Sequence, residues 1–183
     1  MAVVGLRVPS SGESYPGRVA ANDSNNDLAL VQLQGMRPKG GGFVPDFGAQ
    51  VQPGERVHAL GYPLGTKLSR RPSIVSGAVS ATTGLEDNSA QFRMTAPINE
   101  GNSGGPVISA QGVLVGVASA GLVRSGVENI RFGTKFSAAM LLLQQTRLAR
   151  KFSVSVVPKS RKAMNSAEIF REYSPYVVLI EAQ

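Results

Sequence analysis

What most constrains this chain is a rhythm. From Met1 to about Thr134, apolar runs of four to seven residues rich in Val, Ile and Leu are each cut off by Gly, Pro, Asn or Ser. Runs of that length, bounded by turn-formers, read as β-strands and are too short for stable helices. The spans are Val3 to Val8, Gly17 to Ala21, Leu28 to Leu33, Arg56 to Leu60, Ser73 to Ala81, Gln91 to Thr95, Pro106 to Ser109, Val113 to Ala118 and Ile130 to Thr134. Turns fall at Gly12, Gly35, Pro53-Gly54, Gly61 and Gln111-Gly112, and Gly40 to Gly42 mark a longer loop. Many short strands at regular spacing predict an all-β barrel or sandwich. The 183 residues suffice for one domain with a real core.

The rhythm changes at Ser137. Its hydroxyl is placed to cap a helix through Ala138, Met140, Leu141, Leu142 and Leu148, ending near Arg150, and Phe152 to Val157 then alternates as a further strand. Residues 1–150 form the main domain and 151–165 a strand and basic linker. In residues 166–183, Asn165 and Glu168 in capping-box spacing announce a second helix, and Val177 to Ile180 a last strand.

Charge and composition exclude several function classes. No apolar run reaches the roughly 18 residues of a membrane-spanning helix. There is no Cys and one His, His58, so neither a disulfide framework, a thiolate nucleophile nor a His-rich metal site is available, and no cofactor is called for. The net charge of +7 is concentrated towards the tail, where residues 147–183 carry +4. Such a segment attracts phosphate backbones. Lacking interleaved aromatics for base stacking, it reads first as a solvated linker face, with nucleic-acid recruitment a weaker third reading.

The chemistry is concentrated in Ile98-Asn99-Glu100-Gly101-Asn102-Ser103-Gly104-Gly105-Pro106-Val107. A hydroxyl that attacks a carbonyl needs nearby backbone N–H groups converging on the oxyanion, which requires a sharply bent chain. Gly101 tolerates that bend, Gly104 and Gly105 keep the approach clear, and Pro106 sets the entry into the next strand. A Gly-rich hairpin with an incidental Ser is the simpler alternative. Six specified positions weigh against it.

Gly101 to Pro106, G-N-S-G-G-P, resembles the nucleophile loop of trypsin-like serine proteases, in particular the bacterial HtrA/Deg-type branch. In matching order, Asn26-Asp27-Leu28-Ala29-Leu30-Val31 resembles the strand carrying the triad aspartate, and Gly61-Tyr62-Pro63-Leu64-Gly65 the G-[NY]-P-[FL]-G turn. Arg131 to Lys135 loosely resembles the wall near the specificity pocket. The resemblance covers about residues 3–145. It implies two antiparallel β-barrels, the N-terminal one incomplete, with the cleft between them. Ser103 would be the nucleophile, Asp27 a buried carboxylate orienting an imidazole, and the N–H groups of Gly101 and Ser103 the oxyanion hole. The substrate would be a polypeptide pairing along Gly116 to Ser119, with Ala118, Ser119 and Ala120 as binding residues. Six residues before the nucleophile, where relatives selective for basic residues carry a carboxylate, stands Pro97. A small or apolar side chain at the cleavage site is therefore expected. The resemblance also implies an extracytoplasmic setting and leaves self-association open.

The departure is the base. The family's histidine lies upstream of the aspartate, and no histidine precedes Asp27 here. His58, in Arg56 to Leu60, reads as a strand histidine with its ring at a barrel surface. Loss of the base costs a subtilisin-type enzyme on the order of 10⁶ in turnover, so this chain is expected to be nearly inert alone. One explanation is a fragment: Met1 falls where the family enters its third or fourth strand, and Ser166 to Glu181 resembles the helix and first strand that open protease domains of this branch. The other is a noncatalytic peptide-binding scaffold on the same fold. An opened N-terminal barrel would leave an unpaired edge, onto which Val177 to Ile180 is expected to fold.

Overall fold

The computed structural model describes residues 3–8, 13–35, 50–63, 71–119, 131–151 and 162–182. The Gly40 to Gly42 loop and the strand expected over Phe152 to Val157 lie outside them. Ten strands are present among the described residues: β1 Val3–Val8, β2 Glu13–Asp23, β3 Leu28–Leu33, β4 Arg56–Gly61, β5 Ser73–Ala81, β6 Gln91–Met94, β7 Pro106–Ser109, β8 Leu114–Ser119, β9 Arg131–Lys135 and β10 Leu179–Ala182. The turn-bounded apolar runs thus became strands within a residue or two of their expected limits, except β2, which is longer at both ends.

β4 to β9 make a closed antiparallel barrel in the order β4-β5-β6-β9-β8-β7, with β7 returning to β4. Its interior is filled by Val57, Ala59, Val79, Phe92, Met94, Val107, Val115 and Ala118. The N-terminal half is a four-stranded sheet, β10-β1-β2-β3. β1 pairs with β2 on one side and with β10 on the other, Val4 opposite Ala182 and Arg7 opposite Leu179. The tail therefore covers the edge of β1, as its apolar sequence led us to expect.

Helix α1, Phe136–Gln144, packs on β8, β9, β2 and β3 and so bridges the two sheets. Ser137 does not cap it. The N-cap is Lys135, without a side-chain bond, because β9 runs directly into the helix and places Ser137 inside the first turn. The helix also stops before Arg150: Arg147–Lys151 is a separate 3-10 turn.

Helix α2, Ser166–Tyr173, does begin at the expected capping box. The Glu168 N–H donates to Asn165 Oδ1 at 3.0 Å, and the Asn165 N–H to Glu168 Oε2 at 2.8 Å. Its apolar face, Ile169 and Tyr173, packs with Val177 against Leu60, Tyr62 and Ile108 on the outside of the barrel. Tyr173 donates its hydroxyl to Gly112 O at 2.6 Å, and Tyr62 donates to Val177 O at 3.1 Å. Both faces of β4 are consequently buried: Val57 and Ala59 inside, His58 and Leu60 beneath α2.

Candidate active site

Between β6 and β7 the chain turns sharply at residues 101–104. Gly101 (φ +89°) and Gly104 (φ +81°) adopt the left-handed backbone that favours glycine. The amides of this turn divide into two sets. Asn102 N–H donates to Asn99 O at 3.0 Å, Gly104 N–H to Ala118 O at 2.7 Å, and Gly105 N–H to Asn102 O at 3.1 Å. The N–H groups of Gly101 and Ser103 have no acceptor among the described residues, and the Ser103 side chain is exposed beside them.

The loop is braced from behind by the β4 exit. Tyr62 N–H donates to Gly101 O at 3.0 Å. A Cβ on Gly105 would lie 1.9 Å from Leu60 O, and one on Gly61 2.6 Å from the Asn102 Cα, so these glycines let two backbones touch. Asn102 itself is 1% exposed, and its Oδ1 and Nδ2 have no hydrogen-bond partner among the described residues. Leu64 and Gly65 of the same turn lie outside the described residues.

Asp27 closes the β2–β3 turn with φ +53°, a left-handed conformation that Asp tolerates better than most residues. The turn is pre-formed by Asp23, whose Oδ1 accepts from the N–H groups of Asn25 (3.1 Å) and Asn26 (3.2 Å) and whose Oδ2 accepts from Asn26 Nδ2 at 2.7 Å. The Asn26 side chain foremost holds the Asp23 carboxyl below its ordinary range. Two hydroxyls from the barrel then fix the turn across the interface. Thr134 Oγ1 donates to Asn26 O at 2.9 Å, and Ser119 Oγ donates to Asp27 Oδ2 at 3.3 Å.

A short chain of contacts therefore joins the two candidate residues: Ser103 precedes Gly104, Gly104 is bonded to Ala118, and the next residue, Ser119, is bonded to Asp27. The carboxylate is exposed, not buried as expected, because it sits on the rim of the turn, where Ser119 Oγ reaches it from the barrel.

Two other expectations change. Ala118 is 2% exposed, its carbonyl is taken by Gly104 and its N–H donates to Gly105 O at 2.8 Å. It positions the Ser103 loop and has no free backbone for a substrate. Ser119 is paired with Phe132 of β9, and Ala120 lies outside the described residues. His58 is 0% exposed, not at the barrel surface, because α2 covers it. Its Nδ1 is 2.9 Å from Ser76 Oγ and 3.4 Å from Ser166 Oγ, while Nε2 has no partner among the described residues. Desolvation first, and then Arg56, push its pKa below the ordinary histidine value. Pro97 is exposed on the strand of chain leading to the Ser103 loop.

Comparison with known proteins identifies the family. Residues 3–117, which include Asp27 and Ser103, match the family described as trypsin-like peptidase domain. The chain belongs to that family. Among its relatives it is 35% identical over 131 residues to the serine protease Do-like HtrB of Bacillus subtilis, covering 67% of this chain and 28% of that protein. It is 29% identical over 132 residues to the periplasmic serine endoprotease DegP of Salmonella typhimurium, covering 72% and 27% respectively. The trypsin-like fold is shared with the serine endoprotease from Yersinia pestis, at a TM-score of 0.59 and 24% identity over 74% of this chain and 45% of that one. The resemblance is thus to an HtrA-type serine protease, and the chain spans under a third of the length of these two curated relatives.

Proposed function

We propose that this chain carries the nucleophile and oxyanion-binding part of a serine endopeptidase acting on polypeptides. Ser103 Oγ attacks the scissile carbonyl, the unengaged N–H groups of Gly101 and Ser103 receive the developing oxyanion, and water deacylates the acyl-enzyme. Asp27 orients an imidazole and stabilises it once protonated. His58 does not fill that role, since its Nδ1 faces Ser76 and Ser166. The base would be supplied by residues outside this sequence. The observation that carries the reading is the Ser103–Gly104·Ala118–Ser119·Asp27 connection, which links residues far apart in sequence across the two sheets. An extracytoplasmic setting, in line with the periplasmic relative, belongs to the same proposal.

The test is to fuse the histidine-bearing segment of the Bacillus relative ahead of residue 3 and to follow fluorophosphonate labelling and peptide hydrolysis. The chain alone is expected to label slowly, and the fusion to gain at least about 10³-fold. Ser103→Ala abolishes both signals, and Asp27→Asn lowers turnover by about 10⁴. Hydrolysis that survives Ser103→Ala defeats the assignment. Peptide capture by the fusion without Ser103 labelling would establish the noncatalytic scaffold in its place.

A further inference from the structure

The Ser103 loop has one soft point. A trans peptide sets its C=O and N–H in opposite directions, so a carbonyl that is held aims the N–H of the next residue. Asn102 O is held by the Gly105 N–H, which fixes the direction of the Ser103 N–H. Gly101 is different. It has no side chain to restrain it and sits at φ +89°, and its own N–H turns with that angle. Its carbonyl accepts from the Tyr62 N–H at 3.0 Å and has no other partner among the described residues.

Tyr62 is in turn held from its far end. It follows β4 directly, is 3% exposed, and packs with Leu60 and Ile108 against Ile169, Tyr173 and Val177. Its hydroxyl donates to Val177 O at 3.1 Å, across 115 residues of sequence. Burial raises the phenol pKa, so the donor keeps its proton. Two further hydrogen bonds of the tail land away from the loop. Met164 N–H donates to Ala110 O at 2.8 Å and the Tyr173 hydroxyl to Gly112 O at 2.6 Å, both between β7 and β8. Tyr62 thus joins the tail, through its hydroxyl, to the nucleophile loop, through its amide.

We infer that Tyr62 is a positioning residue for the oxyanion site and that docking of the 162–182 tail supplies its anchor. This rests on the active-site reading above. Without the Val177 carbonyl the ring loses its fixed end, the Gly101–Asn102 peptide is free to turn, and the Gly101 and Ser103 N–H groups no longer converge.

The experiment compares Tyr62→Phe with Tyr173→Phe. Each variant keeps its ring and removes one hydroxyl that ties the tail to the barrel, but only the first is bonded to the loop. In the full chain, amide exchange followed by NMR should show the residue-62 and Gly105 N–H groups exchanging about tenfold faster in Tyr62→Phe, with the Gly101 and Ser103 resonances displaced. Tyr173→Phe should leave these signals in place. In the histidine-bearing fusion, Tyr62→Phe should lower kcat about tenfold with KM kept, because the oxyanion exists only after attack. Tyr173→Phe should match the parent fusion. Thermal unfolding and near-UV dichroism check that the variants fold. Loop amides indifferent to Tyr62→Phe, equal effects of the two variants, or a loss carried by KM alone overturns the assignment. A parent fusion that never hydrolyses, with the loop amides still released by Tyr62→Phe, would defeat the catalytic reading and keep the coupling of tail to loop. Hydrolysis with kcat unchanged in folded Tyr62→Phe would do the reverse.

Discussion

The barrel of β4 to β9 closes on itself through the β4–β7 ladder, whereas the sheet of β1 to β3 takes its fourth strand from the opposite end of the chain. The barrel is built from local meanders around one interior. The other sheet depends on a helix and strand that must first dock on the barrel, through Ile169, Tyr173 and Val177. A ring of strands has no edge to protect, and an open sheet does. The candidate site lies on the boundary, with Ser103 on the closed half and Asp27 on the open one. Its geometry therefore inherits the stability of the weaker partner.

The largest effect should come from deleting residues 162–183. This uncovers the β1 edge and the outer face of β4, and amide exchange is expected to show protection lost in β1 to β3 while β4 to β9 stay protected. Uniform loss would mean that the halves unfold as one unit and would break the contrast. A smaller version of the same lesion is Ile169→Ala. Ile169 is fully buried, and its truncation should cost about 3 kcal/mol in denaturant unfolding, with the loss concentrated in β10 and β1 exchange.

The smallest effect is in pH. Burial depresses the His58 pKa in the folded chain, so the unfolded chain takes up this proton first as pH falls. The stabilisation is intact above the ordinary histidine pKa of 6.5 and is lost as pH drops from there towards the lower folded value. His58→Gln should flatten the urea-midpoint profile in that window. An unchanged slope would remove His58 as its source.

Much of this architecture was legible in the sequence because strands and tight turns are local events. The apolar runs and the Gly-Asn-Ser-Gly-Gly-Pro segment carry their own geometry, and Asn165 and Glu168 announce a helix start within four residues. What escaped depends on distance along the chain. His58 looked like a surface histidine because Ser166, which meets it, is 108 residues away. Ser119 was noted as part of a substrate strand, but its bond to Asp27 spans 92 residues. Ala118 gave no sign that its backbone was already committed, since alanine patterning carries no record of ladder partners.

The β1–β10 ladder also determines how the molecule responds to force. Val4 and Ala182 stand opposite one another in antiparallel register, so a load applied through the two ends would unzip that ladder pair by pair and would not shear it. Stretching at those points should peel β10 away at low force, pull α2 off the barrel next, and leave the ring of β4 to β9 as the last element to yield.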